Sequence, residues 1–223
     1  MIRSRQLRTC AAAPNAWLHI DGAFGLWAAV SEPLRHLVAG VARADSWATD
    51  AHKWLNVPYD CGVVFCAHPT SHAAAISARA AYLQFDDRGA RDAFDWTPES
   101  SRRARAFTVY AAIRSLGRAG IATMVERCCT HARRAAAGLG DLGAEVINDV
   151  VLNQVLFRFA NDDITERILT RVRESGEAWM SGTSWDGRRA IRLSFSNWQT
   201  SDTDVDRTLT AFRAAVMTAA ASP

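Results

Sequence analysis

One lysine stands in this chain of 223 residues. The 26 basic side chains are 25 arginines and Lys53, which lies in the stretch Asp50-Ala51-His52-Lys53-Trp54. Arginine supplies positive charge as well as lysine does. Its guanidinium does not deprotonate in proteins, so it does not attack a carbonyl. A primary amine does, and forms Schiff bases with carbonyl substrates or carbonyl cofactors. A chain that uses arginine almost everywhere and keeps one lysine points to amine chemistry at residue 53. The alternative is an arginine- and alanine-rich composition that left one lysine by chance.

Asp21 is the second candidate. It follows Trp17-Leu18-His19-Ile20 and precedes the small residues Gly22 and Ala23. Pyridoxal phosphate needs a lysine, a carboxylate against its pyridine nitrogen and donors for its phosphate. The carboxylate keeps that nitrogen protonated, so the ring can take up electrons. Asp21 suits that task, Gly22 and Ala23 would let a flat ring approach the backbone, and His52 is a candidate phosphate donor. An Asp-Gly after a strand is more commonly only a turn. The combination with Lys53 therefore carries the reading, and no single residue does.

The elements that would position these groups read as α/β. Residues 17–20, 44–49 and 62–66 are strand candidates, the last a continuous apolar run of the kind found in buried strands. Asp21 and Lys53 both follow strands, where ligand sites of open α/β sheets cluster. Residues 84–96 are polar and aperiodic, which predicts a mobile loop. Thr97-Pro98-Glu99 predicts a helix start running to about Leu116, with Gly117 as its stop. A second helix follows, with Ile121, Met124, Val125, Cys128 and Cys129 on one face, so the two cysteines read as core rather than as a redox pair. Beyond Gly143 the pattern predicts a strand at 154–159, a helix at 165–175, an alternating strand at 190–196 and a last helix capped by Asp202. This is a small α+β unit, with a boundary between Gly117 and Gly143.

Composition excludes several classes. Hydrophobic residues make up 49%, with eight tryptophans, enough for a sizeable core. The net charge is +3 and the pI about 8.8. The arginine clusters at 102–105 and 133–134 fall in apparent helices and read as solvated faces, not as a nucleic-acid stripe. Five cysteines show no metal-like spacing, and with an odd count they favour reduced thiols. No apolar run spans a membrane and the N-terminus does not fit a secretory signal. The expected setting is cytoplasmic, without nucleic-acid, membrane or metal partners.

The segments 17–25 and 44–54 together resemble the group II pyridoxal-phosphate-dependent amino-acid decarboxylases, which include the glutamate, aromatic amino-acid and histidine decarboxylases. The resemblance continues through Pro98-Glu99-Ser100-Ser101-Arg102-Arg103 and Leu116-Gly117-Arg118 to Ser194-Phe195-Ser196-Asn197-Trp198-Gln199-Thr200, nearly the whole chain. It implies a fold-type-I scaffold: residues 1–118 as the later part of the large cofactor domain and 119–223 as the small domain. It implies that Lys53 carries pyridoxal 5'-phosphate, Asp21 pairs with the pyridine nitrogen, Ala23 packs on the ring and His52 lies near the phosphate. Arg192 would present its charge to a substrate carboxylate, the alternative being a strand arginine facing solvent. The implied reaction is decarboxylation of an L-amino acid to an amine and carbon dioxide by a homodimer.

Three departures from the family pattern bear on that expectation. Relatives carry a long N-terminal part ahead of the Asp motif, which supplies the aromatic residue stacked on the ring and much of the phosphate cup. Relatives often have asparagine at the position of Asp50, where an acid would repel a phosphate dianion unless turned away. Some members use a mobile-loop tyrosine to protonate the carbanion, whereas residues 83–96 contain none and Tyr82 stands only at the loop's start. The rival expectations are an inactive remnant or dimer partner, and a lyase or aldehyde-forming enzyme of the same fold.

Overall fold

The computed structural model describes residues 16–77 and 92–220, in which two sheets organise the chain. In the first, β1 (His19–Asp21) pairs in parallel with β2 (Ser46–Asp50), and β3 (Gly62–Cys66) adds antiparallel to β2. Three 3-10 turns, Gly25–Val30, Arg35–Val38 and Val41–Arg43, carry the chain from β1 to β2. One helical turn, α1 (Ala51–Trp54), follows β2 directly, and α2 (Pro69–Ile76) follows β3. β1 starts two residues later than the apolar run suggests. Ahead of it, side chains replace ladder bonds: Trp17 Nε1 donates to Ser46 Oγ at 2.7 Å and the Leu18 amide to Asp45 Oδ2 at 2.7 Å.

β3 has the expected bounds but not the expected burial. Val64 and Phe65 are each 54% exposed. β3 pairs only with β2 in its sheet, and no layer of described residues covers that face. An apolar run without alternation means burial only when both faces are covered.

The long helix α3 (Arg105–Asp141) is broken at Gly117, whose φ of 61° and ψ of 178° are open almost only to glycine. The helix starts later than Thr97-Pro98 suggests. Residues 97–104 are irregular, because Arg103 reaches back to Tyr59 O at 2.7 Å and Asp60 Oδ1 at 2.9 Å. Arg102 and Arg103 are therefore not on a helix face. Of the segment 84–96, residues 84–91 lie outside the described residues, as do Tyr82 and Cys10. Its end forms a 3-10 turn, Ala93–Trp96, where Trp96 O meets His72 Nε2 at 3.1 Å.

The second sheet contains β4 (Glu145–Val146), β5 (Gln154–Arg158), β6 (Ser181–Trp185) and β7 (Arg188–Ser194) in the antiparallel order β4-β5-β7-β6. β6 was not legible by periodicity. Its signal was Asp186-Gly187, both at positive φ, the two-residue turn that favours a hairpin. α4 (Asp162–Glu174) and α5 (Asp202–Ala220) pack on this sheet. α4 begins three residues earlier than expected because Asn161 Oδ1 accepts the Ile164 amide at 2.8 Å. α5 is capped by Ser201, not Asp202. Asp204 Oδ2 accepts the Ser201 amide at 2.9 Å, and Ser201 Oγ accepts the Asp204 amide at 3.4 Å.

The core lies between this sheet and α3, α4 and α5. Val155, Phe157, Ile191 and Leu193 meet Ile168, Leu169, Val172, Val205 and Phe212. Val125, Cys128, Cys129, Ala132 and Leu139 seal it from α3. Burial pushes the thiols of Cys128 and Cys129 up to about 11, as expected of core cysteines. Among the described residues no helix is long and apolar enough to cross a membrane, and no group of acidic, histidine and cysteine side chains is placed to hold a metal ion.

Candidate active site

β1 and β2 run parallel with Asp21 opposite Ala48, so the chain leaves both strands at one edge of the sheet. Asp21 is the last residue of β1. Lys53 lies in the helical turn that starts directly after β2. The two exits are wired together. Gly22 N–H donates to Ala48 O at 2.8 Å, Thr49 Oγ1 to Gly22 O at 3.2 Å, Trp27 Nε1 to Thr49 Oγ1 at 2.8 Å and Trp54 Nε1 to Phe24 O at 3.1 Å. Gly22 owes its smallness to packing rather than to an open approach, since a Cβ there would stand 2.2 Å from Leu26 Cγ.

Asp21 Oδ1 accepts the Ala23 amide at 3.1 Å, and the carboxylate is exposed, with Oδ2 unpartnered among the described residues. Ala23 thus serves Asp21 through its backbone and is half-buried. Lys53 Nζ stands 4.8 Å from the centroid of the Phe24 ring and 2.7 Å from Asp50 Oδ2. The expected clash between Asp50 and a phosphate therefore changes character, because the carboxylate is turned to the lysine. His52 Nε2 is 3.8 Å from the same oxygen. His52 Nδ1 lies 3.1 Å from the Cys61 amide nitrogen and 3.2 Å from Cys61 O, contacts that hold the ring while its Nε2 faces Asp50. Tyr59 lies against the imidazole with ring centroids 4.0 Å apart.

Two further anchors hold this turn. Asn56, at φ 52°, donates through Nδ2 to Trp54 O at 2.8 Å and to Ser196 O at 2.9 Å, tying the Lys53 turn to the segment after β7. Asp60 is gripped by Arg103 and Arg105. A backbone hydrogen bond and the Arg105 guanidinium hold its carboxyl below the usual carboxylate range. Periodicity passed over Phe24, Asn56 and Tyr59. The available signals were an asparagine just past a helical turn, where left-handed backbone is tolerated, and the i,i+3 spacing of Asp50 and Lys53.

Arg192 stands apart. It lies on β7 between the buried residues Ile191 and Leu193, on the exposed face, opposite Leu156 and Ser181. Among the described residues no contact links it to Asp21, His52 or Lys53.

A carboxylate oxygen unpartnered among the described residues, the chain's single lysine amine and an imidazole, all following β1 and β2 at one end of the sheet, are of the types that pyridoxal phosphate needs. This defines the class: an α/β chain suited to a Schiff-base cofactor. Residues 5–160 match the model of the pyridoxal-dependent decarboxylase conserved domain, and the chain belongs to that family. It is 30% identical over 166 residues to the aromatic-L-amino-acid decarboxylase of Drosophila lebanonensis, covering 73% of this chain and 41% of that one. The structure matches that of Oryza sativa TDC with PLP and tryptamine at a TM-score of 0.89 and 21% identity, covering 97% of this chain and 47% of that one. It matches Rhodiola rosea 4-hydroxyphenylacetaldehyde synthase at a TM-score of 0.79 and 25% identity, covering 91% and 43%. The fold is thus the mixed α/β fold of these decarboxylase structures over part of their length. The chain spans less than half the length of these relatives.

Proposed function

We propose that this chain carries the lysine of a pyridoxal-phosphate-dependent decarboxylase that converts an L-amino acid to an amine and carbon dioxide. Residues 1–118 would be the later part of a fold-type-I cofactor domain and residues 119–223 the small domain, in a cytoplasmic homodimer. The observation behind this reading is the parallel pairing of β1 and β2, which puts Asp21 at the end of β1 and the single lysine in the turn after β2 at the same end of the sheet.

Pyridoxal phosphate, when bound, supplies the electron sink for the pair left behind as carbon dioxide departs. Lys53 would be the amine that holds it. Asp21 Oδ2, unpartnered among the described residues, would pair with the pyridine nitrogen. His52 would lie near the phosphate, and Ala23 would pack on the ring. Arg192 is the candidate for the substrate carboxylate, and reaches it only if substrate extends over the open face of β7.

The test is borohydride reduction of the protein with pyridoxal phosphate, followed by peptide mapping. Lys53 should carry all side-chain label, and Lys53→Ala none. In Asp21→Ala the label should persist, while the 15N shift of labelled cofactor moves to that of an unprotonated pyridine nitrogen. Label recovered elsewhere, or an unchanged 15N shift in Asp21→Ala, overturns the assignment. Product analysis of the reaction, amine against aldehyde, separates decarboxylation from the aldehyde-forming alternative.

A further inference from the structure

We propose that Asp50 is a positioning residue for Lys53: its carboxylate parks the lysine side chain ahead of carbonyl capture. The proposal rests on the reading of Lys53 as the reactive amine and deepens it.

Three observations carry it. Lys53 Nζ lies 2.7 Å from Asp50 Oδ2, across one helical turn. The Phe24 ring faces the same nitrogen at 4.8 Å, a second contact that fixes its position. His52 Nε2 stands 3.8 Å from the very oxygen that binds Lys53. Lysine and aspartate side chains are only 29% and 28% exposed, so water does not dissolve the pair as it does a fully open one. An ammonium ion has no lone pair, so Lys53 attacks only after it leaves Asp50 and sheds its proton. The acid at position 50 becomes intelligible on these terms: it holds Lys53 Nζ in place while the site is empty of carbonyl, and its own oxygen is turned to the lysine turn, with His52 Nε2 3.8 Å away.

The chain's composition makes this directly measurable without cofactor. Lys53 is the only side-chain amine in the sequence, and an added lysine-containing reference peptide supplies the standard. Acetylation by neutral N-acetoxysuccinimide, read by peptide mapping as the ratio of Lys53 to reference peptide, reports how available the Lys53 amine is. Asp50→Asn should raise the ratio by about three- to fivefold, the scale of a half-exposed ion pair. Asp50→Glu should return it toward the parent, and Phe24→Leu should raise it by a smaller factor. In the unaltered protein the ratio should climb with added salt, and in Asp50→Asn it should not. All variants should converge in 8 M urea (~8 M, a fully denaturing concentration). An unchanged ratio in Asp50→Asn, or one that climbs with salt as the parent's does, overturns the proposal. A ratio raised equally by Asp50→Asn and Asp50→Glu shows mere disruption and overturns it too. Because no cofactor enters this experiment, its outcome is independent of whether borohydride fixes pyridoxal phosphate to Lys53.

Discussion

The two sheets of this chain solve the same packing problem to different extents. In the antiparallel sheet β4-β5-β7-β6, β5 alternates with Val155 and Phe157 inward, Ile191 and Leu193 of β7 join them, and three helices close over it. Phe157 meets Phe212 edge-on at 5.5 Å inside that core. The three-stranded sheet that bears Asp21 and Lys53 relies instead on polar wiring between Trp27, Thr49, Trp54 and Phe24, and its β3 leaves Val64 and Phe65 open. The C-terminal sheet is closed by its helices, while the proposed site lies on a sheet whose outer strand is left open, although Ala51 and Trp54 beside Lys53 are buried in the core. Low-stability regions are where ligand-binding segments are usually drawn from.

The largest effect expected from breaking this contrast is in the closed core. Phe212→Ala removes a fully buried ring and should cost about 3–5 kcal/mol. Urea unfolding followed by near-ultraviolet circular dichroism measures it. A cost under about 1 kcal/mol would mean that the core is not closed in solution.

A second effect, absent at neutral pH and growing only above pH 9, comes from Cys128 and Cys129. Their folded thiols titrate near 11 because burial disfavours the thiolate, against an ordinary value of 9.0. The folded state therefore holds its proton where the unfolded state has lost it. The contribution is intact below pH 9 and is lost as pH rises toward about 11, by at most about 1.4 kcal/mol per pH unit for each thiol. Unfolding midpoints measured from pH 8 to 11 should fall accordingly. Cys128→Ser/Cys129→Ser should flatten that slope, whatever its absolute stability.

These two regions were not equally legible in the sequence. Local signals gave the C-terminal helices and β7, because amphipathic period and burial agree wherever a core closes. Cys128 and Cys129 fall where their helical spacing puts them. In the site-bearing half the strands were found but the burial of β3 was not, since an apolar run says nothing about whether a covering layer is present. Asp21 and Lys53 were legible as residue types after strands, and the parallel pairing of β1 and β2 puts them at the same end of that sheet. The partner of Asp50, the Asn56 bridge to Ser196 and the caps at Asn161 and Ser201 were not, because each depends on side-chain direction rather than on period.

The finest test of the contrast applies one substitution to both sheets. Val→Thr keeps side-chain shape and β-propensity and exchanges a methyl for a hydroxyl. At Val155, which is fully buried in β5 opposite Leu193, the hydroxyl enters an apolar core and should cost about 1–3 kcal/mol. At Val64, more than half exposed in β3 opposite Ala48, the hydroxyl stays in water and stability should stay within about 0.5 kcal/mol. Chemical unfolding of the two variants side by side reads the difference without any assumption about the rest of the molecule. A cost at Val64 that approaches the cost at Val155 would show that β3 is covered in solution. Repeating the pair across a range of protein concentrations would then tell what covers it. If the cost at Val64 grows with concentration, a second copy sits on β3. If it stays small throughout, the open face belongs to the chain itself, and the asymmetry between the two sheets is a property of the single molecule.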